Sequence, residues 1–341
     1  VGVRMPSACK SEHGEEGTAA AAAVGGGGAG EAPAGLPEAS AAAPCARSYR
    51  RNIRWILGVA LFNQAATSIT LGPLFDAFLL ELGGTSGNML VGAVESTRGM
   101  LQLAAAWPLG WLSDRASRGT GSRVSLVRWN LPVWTLGLAV AIAGVMLAGT
   151  PWDRGHLAVV LIFAGIALFA PGAVCWQTSA QVMLAESVEP GARSGELAKL
   201  TSTTMFANSL GPLMQVGLLL GLRQNRWDNS LLRWVVSSGC LLWPGVVMCT
   251  LALRRLEPLE KTARRGAGSG SSFSDEELDR RVCRVKVRWW LAGTLEVQAV
   301  VTAIGAGMTV KYFPLFFKSD YHFSPIAICI LNVVLPLCMS A

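Results

Sequence analysis

Glu95, Arg98 and Gln102 recur at i, i+3 and i+7, so a carboxylate, a guanidinium and an amide share one face of a helix. Such a triad within an apolar segment has two uses. Glu95 can carry a proton and Arg98 can hold an anion, which makes a pathway for a solute or a proton. Equally, the two charges can neutralise each other and brace neighbouring helices. Burial raises a carboxylate's pKa and an adjacent guanidinium lowers it, so the sequence leaves the protonation of Glu95 open. Asn63 and Thr67 form a second polar face with Thr70, and Gln64 lies beside them. Gln177 and Gln181 stand at i, i+4 next to Trp176, and a later stretch carries Glu296, Gln298, Thr302, Thr309 and Lys311. Polar side chains are costly in hydrocarbon and usually face a bundle interior or a wet cavity. Each alone is more often an interhelical hydrogen bond than a ligand contact; three polar-faced helices together point to an aqueous cavity.

Other chemistries are poorly supplied. The three histidines (His13, His156, His322) are scattered, and none has an acid four or five residues on. The eight cysteines contain no C-x-x-C pair, so neither a zinc site nor a disulfide framework is signalled. No G-x-x-x-x-G-K-[ST] loop is present, which argues against nucleotide-driven work. No metal and no cofactor is expected, and the chain reads as a non-enzyme.

The elements that must hold these groups are long and apolar. Of 341 residues, 51% are hydrophobic and 15% charged, against about 25% charged in soluble domains. The net charge of +7 suits a nucleic-acid partner in isolation. Here the basic residues sit between apolar runs, so they read as membrane topology, with no nucleic-acid partner. Residues 1–46 are Ala/Gly/Glu/Pro-rich and predict a disordered tail. Seven segments approach the roughly 20 apolar residues that a bilayer core requires: 53–81, 89–112, 125–149, 157–185, 197–221, 231–253 and 289–317. An eighth runs from Ser324 to Ala341 without a polar flank, which reads as a break in a longer protein. Loops on one side carry 20 Lys and Arg and those on the other 5, which predicts a cytosolic N-terminus. Between 254 and 288 lies the longest loop, where Ser274-Asp275-Glu276-Glu277 predicts a capped amphipathic helix.

The short loop after the second segment reads Gly110-Trp111-Leu112-Ser113-Asp114-Arg115-Ala116-Ser117-Arg118. Gly110, Asp114, Arg115 and Arg118 resemble the G-x-x-x-D-R-x-G-R/K signature between helices 2 and 3 of the major facilitator superfamily. Ser117 replaces the second glycine, and the next basic residue is delayed to Arg123. Glu186 and Arg193, after the fourth segment, are similar to that family's E-x(6)-R element, although Pro190-Gly191 is equally a plain turn. Gly211-Pro212, with Gly217, matches part of its proton-antiporter motif, and plain helix packing is the stronger reading there. Gly305-Ala306-Gly307 resembles a flexible point in the seventh helix. No P-E-S-P-R element follows the sixth segment, so a sugar porter is not implied.

The resemblance implies an all-α membrane protein: a facilitator-type helical bundle with 7–8 transmembrane helices present of an expected 12. Its parts would be a tail (1–46), a six-helix bundle (47–253), a central loop (254–288) and the start of a second bundle (289–341). Helices 1, 4 and 7 would line the cavity, through Asn63, Thr67, Gln177, Gln181 and Gln298, with Glu95, Arg98 and Gln102 from helix 2. The family moves small solutes by alternating access, either facilitatively or coupled to a gradient such as protons. The implied partners are a small-molecule substrate, the lipid bilayer and protons. A transport-incompetent receptor or regulatory half-protein is the alternative, and a membrane-embedded enzyme is a distant third. Neither the substrate nor the particular membrane, plasma or organellar, is legible.

Overall fold

The computed structural model describes residues 39–118, 122–153, 156–188, 190–223, 225–254 and 312–340, with isolated residues and pairs between 281 and 301. Most of the central loop and of the segment 289–317 therefore lies outside the described residues. The described chain is all-α apart from one two-residue ladder, Arg281–Val282 against Val285–Lys286.

The first helix, α1 (Ala39–Thr70), starts eight residues inside the stretch expected to be a disordered tail. Its opening Ala-Ser-Ala-Ala-Ala is rich in the strongest helix former. It stops where the sequence asks it to, at Gly72-Pro73. Pro73 opens α2 (Pro73–Gly83), where its missing N–H is no loss. A Cβ on Gly72 would come within 2.0 Å of the Ser68 carbonyl oxygen, so this corner admits only glycine. The chain then turns through Gly84, at φ +52°, into α3 (Gly87–Arg118).

Ser122 caps α4 (Arg123–Leu147), its hydroxyl accepting from the Val124 amide at 3.2 Å. Next come α5 (Leu157–Glu186) and α6 (Arg193–Gly221). The segment 231–253 is broken into α7 (Asn229–Ser237), a short 3-10 turn and α8 (Trp243–Ala252). Asp228 caps α7: its carboxylate accepts from the Ser230 hydroxyl at 2.5 Å and amide at 3.3 Å, and both contacts hold it below the usual carboxylate pKa. After the undescribed stretch come α9 (Tyr312–Ser319) and α10 (Pro325–Ser340).

Arginines tie the helix ends together. Arg128 donates to the Leu251 and Leu253 carbonyls at 2.7 and 2.6 Å, closing the C-terminus of α8. Arg233 does the same for α4 through the Ala148 carbonyl at 2.6 Å. A cation at the last carbonyls of a helix also meets the negative end of its dipole. Asn52 exchanges two hydrogen bonds with the backbone of Arg254, pinning α1 to the end of α8.

α4 and α5 approach backbone to backbone. A Cβ on Gly137 would lie 2.5 Å from the Phe169 nitrogen, and one on Gly165 would lie 2.3 Å from the Ala141 nitrogen. Small residues allow such contact where helices cannot rely on the hydrophobic effect for association. Trp134, fully buried, stacks edge-on against Trp243 at 5.0 Å between ring centroids, with Phe169 completing the cluster.

Among the described residues, four helical stretches are long and apolar enough to cross a membrane: Tyr49–Ala116, Arg123–Leu147, Leu157–Glu186 and Asn229–Ala252. The first, 68 residues long, runs through α1, α2 and α3. α6 has the length, at 29 residues, but Thr201, Thr203, Thr204, Asn208 and Gln215 dilute its apolar character. Pro325–Cys338 is apolar but short. Large apolar side chains such as Met89, Trp107 and Trp129 point outward, which suits a lipid surroundings rather than water.

Candidate functional site

Three polar groups stand out: one at a cluster of helix ends, one between helices and one along α3. The first is built on Arg123, the first residue of α4. Its guanidinium pairs with Glu186, the last residue of α5, and lies 3.6 Å from the Asp114 carboxylate in the last turn of α3. Its Nε donates to the Ser113 hydroxyl at 3.1 Å. The Arg123 side chain is only 10% exposed, so three helix ends converge on one shielded cation. A planar guanidinium suits the task, because it can serve several acceptors at once. Of the two residues of the E-x(6)-R element, Glu186 pairs with Arg123 at the start of α4. Arg193 opens α6 and is half-buried. Arg115 stacks over the Trp111 ring at 5.3 Å, and Gly110 has open space around it. Arg118 closes α3, with its side chain outside the described residues.

The second constellation is a polar seam between α1 and α6. Gln64 donates to the Asn208 side-chain oxygen at 2.6 Å, and Ser68 donates to the Asn208 carbonyl at 2.9 Å. Gln215 is fully buried; it donates to the Ile69 carbonyl at 2.9 Å and takes a contact from the Cys329 thiol of α10 at 3.6 Å. Gly211 makes this approach possible: a Cβ there would sit 2.2 Å from the Ser68 hydroxyl. Pro212 is buried beside it. Asn63 and Thr67 lie on the same helix, where the Thr67 hydroxyl turns back to the Asn63 carbonyl at 2.7 Å. The sequence reading took Asn63 and Thr67 as a cavity-lining face and missed the seam residues Ser68, Asn208 and Gln215. The signal was available: Asn208, Gly211 and Gln215 stand at i, i+3, i+7, the same face rule applied to α3.

The Ile69 carbonyl belongs to the last turn of α1, where intrahelical donors run out. Gln215 therefore serves a group that has few other partners. Gln215→Leu leaves that carbonyl buried and unmet, and is expected to cost about 1–3 kcal/mol. Thermal unfolding in detergent measures this, and an unchanged midpoint would show that the bond is dispensable.

The third group, on α3, stands apart. Glu95 and Arg98 face each other at 3.8 Å, each about one-fifth exposed. Gln102 is half-buried two turns on. Gln177 and Gln181 are exposed on α5. Gln298 lies outside the described residues. Among the described residues, no cluster of His, Cys, Asp and Glu could hold a metal ion.

The site and fold define a helical protein with stretches able to span a membrane and a shielded three-helix charge node. The chain matches no family model, no curated protein and no solved structure.

Proposed function

We propose that the protein moves a small solute across a membrane by alternating access, as a facilitator-type bundle with seven or eight of twelve transmembrane helices in this chain. The observation that carries this reading is the Arg123 node. The two segments that resemble facilitator loop motifs, one around Asp114 and one beginning at Glu186, meet on the same guanidinium. A charge cluster shared by three helix ends holds their relative positions firmly, so that the block can move as one body. The polar face of α3 and the α1–α6 seam supply groups that would line a pathway, with Glu95 as a proton carrier and Arg98 as an anion contact. In this reading the Asp114 end faces the cytosol, as the excess of basic loop residues there suggests.

The test is uptake into proteoliposomes, with a labelled panel of hexoses, amino acids, carboxylates and nucleosides as probes. Saturable uptake of one class is expected, and Asp114→Ala and Arg98→Ala should each reduce it about tenfold or more. Saturable uptake that neither substitution changes would remove both residues from the mechanism. No saturable uptake of any probe class would favour the receptor reading.

A further inference from the structure

Polar contacts between the α1–α8 block and the helices after residue 311 gather at one end of the molecule. Lys318, at the end of α9, pairs with Glu81 at the end of α2. Its ammonium also lies 4.5 Å from the centre of the Trp227 ring. The Trp227 indole N–H donates to the Phe323 carbonyl at 3.0 Å, and the Ile326 amide donates to the Asn225 side chain at 3.4 Å. The Lys318 side chain is 9% exposed and that of Glu81 is 40% exposed. These contacts lie at the far end of α3 from the Arg123 node. Glu81 precedes that helix and Asp114 lies in its last turn, and 32 helical residues span about 48 Å.

The geometry points to a latch: the Glu81–Lys318 pair, covered by Trp227, shuts the molecule between its first six-segment block and the helices that follow, on the face opposite the Arg123 node. This rests on the alternating-access reading above. The Arg123 node cannot perform this task, because Ser113, Asp114, Arg123 and Glu186 all belong to one block. A node of that kind fixes a block's internal geometry. A latch must join two bodies, as Glu81 and Lys318 do across 237 residues of sequence. Shielding of the Lys318 side makes the closed pair modestly stronger than a surface ion pair, because water competes less for the ammonium. When the end opens, both charges return to water, which keeps the cost of opening small. The aromatic face of Trp227 holds the ammonium in the closed state and excludes solvent above it. In this structure the latch is made, so the Lys318 end is shut.

A native thiol reports on it. Cys329 sits one turn into α10, 1% exposed, against Gln215. The full chain is reconstituted in vesicles of phosphatidylcholine and phosphatidylglycerol and treated with a membrane-impermeant maleimide. Labelling of the Cys329 peptide is then followed by mass spectrometry, relative to that of Cys175, which is buried in α5. Glu81→Gln and Lys318→Met should each raise the Cys329 rate about fivefold, the change expected from losing a partly shielded pair. The double exchange Glu81→Lys with Lys318→Glu should bring it back to within about twofold of the native rate. Unchanged Cys329 labelling in the single variants overturns the latch. So does an exchanged pair that stays as reactive as the single variants, or a rise shared equally by Cys175, which marks general loosening. The readout does not depend on uptake. Labelling that follows the pair while no probe is transported would leave the latch standing and remove the transport reading.

Discussion

Arg123→Ala is expected to lower the melting temperature by about 1–4 °C and, on the transport proposal, to cut solute uptake about tenfold or more. The stability part follows from what the side chain leaves behind. Arg123 is nearly buried, whereas Glu186 is about one-third exposed and Asp114 about two-thirds exposed. Removing the cation therefore strands one partly shielded carboxylate and one that water already solvates. The loss falls between an exposed pair and a fully buried one, at about 1–3 kcal/mol. The partners divide the work unequally. Glu186→Gln should reproduce most of the stability loss, while Asp114→Asn should change stability by less than about 0.5 kcal/mol. Uptake separates them in the other direction if Asp114 serves the conformational change rather than the resting fold. Arg123→Lys keeps the charge but loses the fork that reaches Ser113, Asp114 and Glu186 together, so it should recover less than half of either loss. Native melting and native uptake in Arg123→Ala would refute the node as a working part.

How far the sequence carries a reader can be judged at particular residues. The corner at Gly72-Pro73 is of the kind a sequence shows, because proline and glycine act locally and no distant contact is needed to place it. The pair Glu95–Arg98 was legible for the same reason, since i, i+3 spacing on a helix settles proximity by itself. Glu186 was legible as a chemically active position but not in its partner. Its spacing to Arg193 matched a motif, but a motif does not name the group that a carboxylate meets. The cation that reaches it comes from 63 residues earlier, at a position fixed by the Ser122 cap. No local rule contains that distance. Ser68, Asn208 and Gln215 were hidden differently. Their spacing was visible, but a polar residue in an apolar run does not say which neighbouring helix will receive it. The helical start at Ala39 was missed because a composition too poor in apolar residues for a core can still favour helix locally.

The glycines of α4 and α5 were also overlooked, although Gly137 and Gly144 on one helix and Gly165 and Gly172 on the other share a seven-residue spacing. They carry the largest stability effect expected in the molecule. Gly165→Leu must push a side chain into a place where Cβ alone would lie 2.3 Å from the Ala141 nitrogen and 2.6 Å from its Cα. Both obstacles are backbone, so no rotamer change relieves them; the helices have to separate. The cost should reach about 3 kcal/mol or more, at the upper end for overpacking. Gly217→Leu on α6 provides the contrast, because nothing lies within 4 Å of a Cβ there. That change should stay near neutral, since leucine also favours helix over glycine. Once Gly165→Leu has parted the pair, Gly137→Leu has less left to disturb. The double variant should then cost less than the sum of the single ones by about 1 kcal/mol or more, as expected for sites sharing one contact. Separation would also pull Trp134 from Phe169 of α5 and change the tryptophan emission. It would shift α4 together with the Arg123 that begins it, so uptake should fall alongside stability although Gly165 touches no charged group. Additive costs with unchanged emission would mean that α4 and α5 accommodate each glycine site independently, and that the node does not depend on their contact.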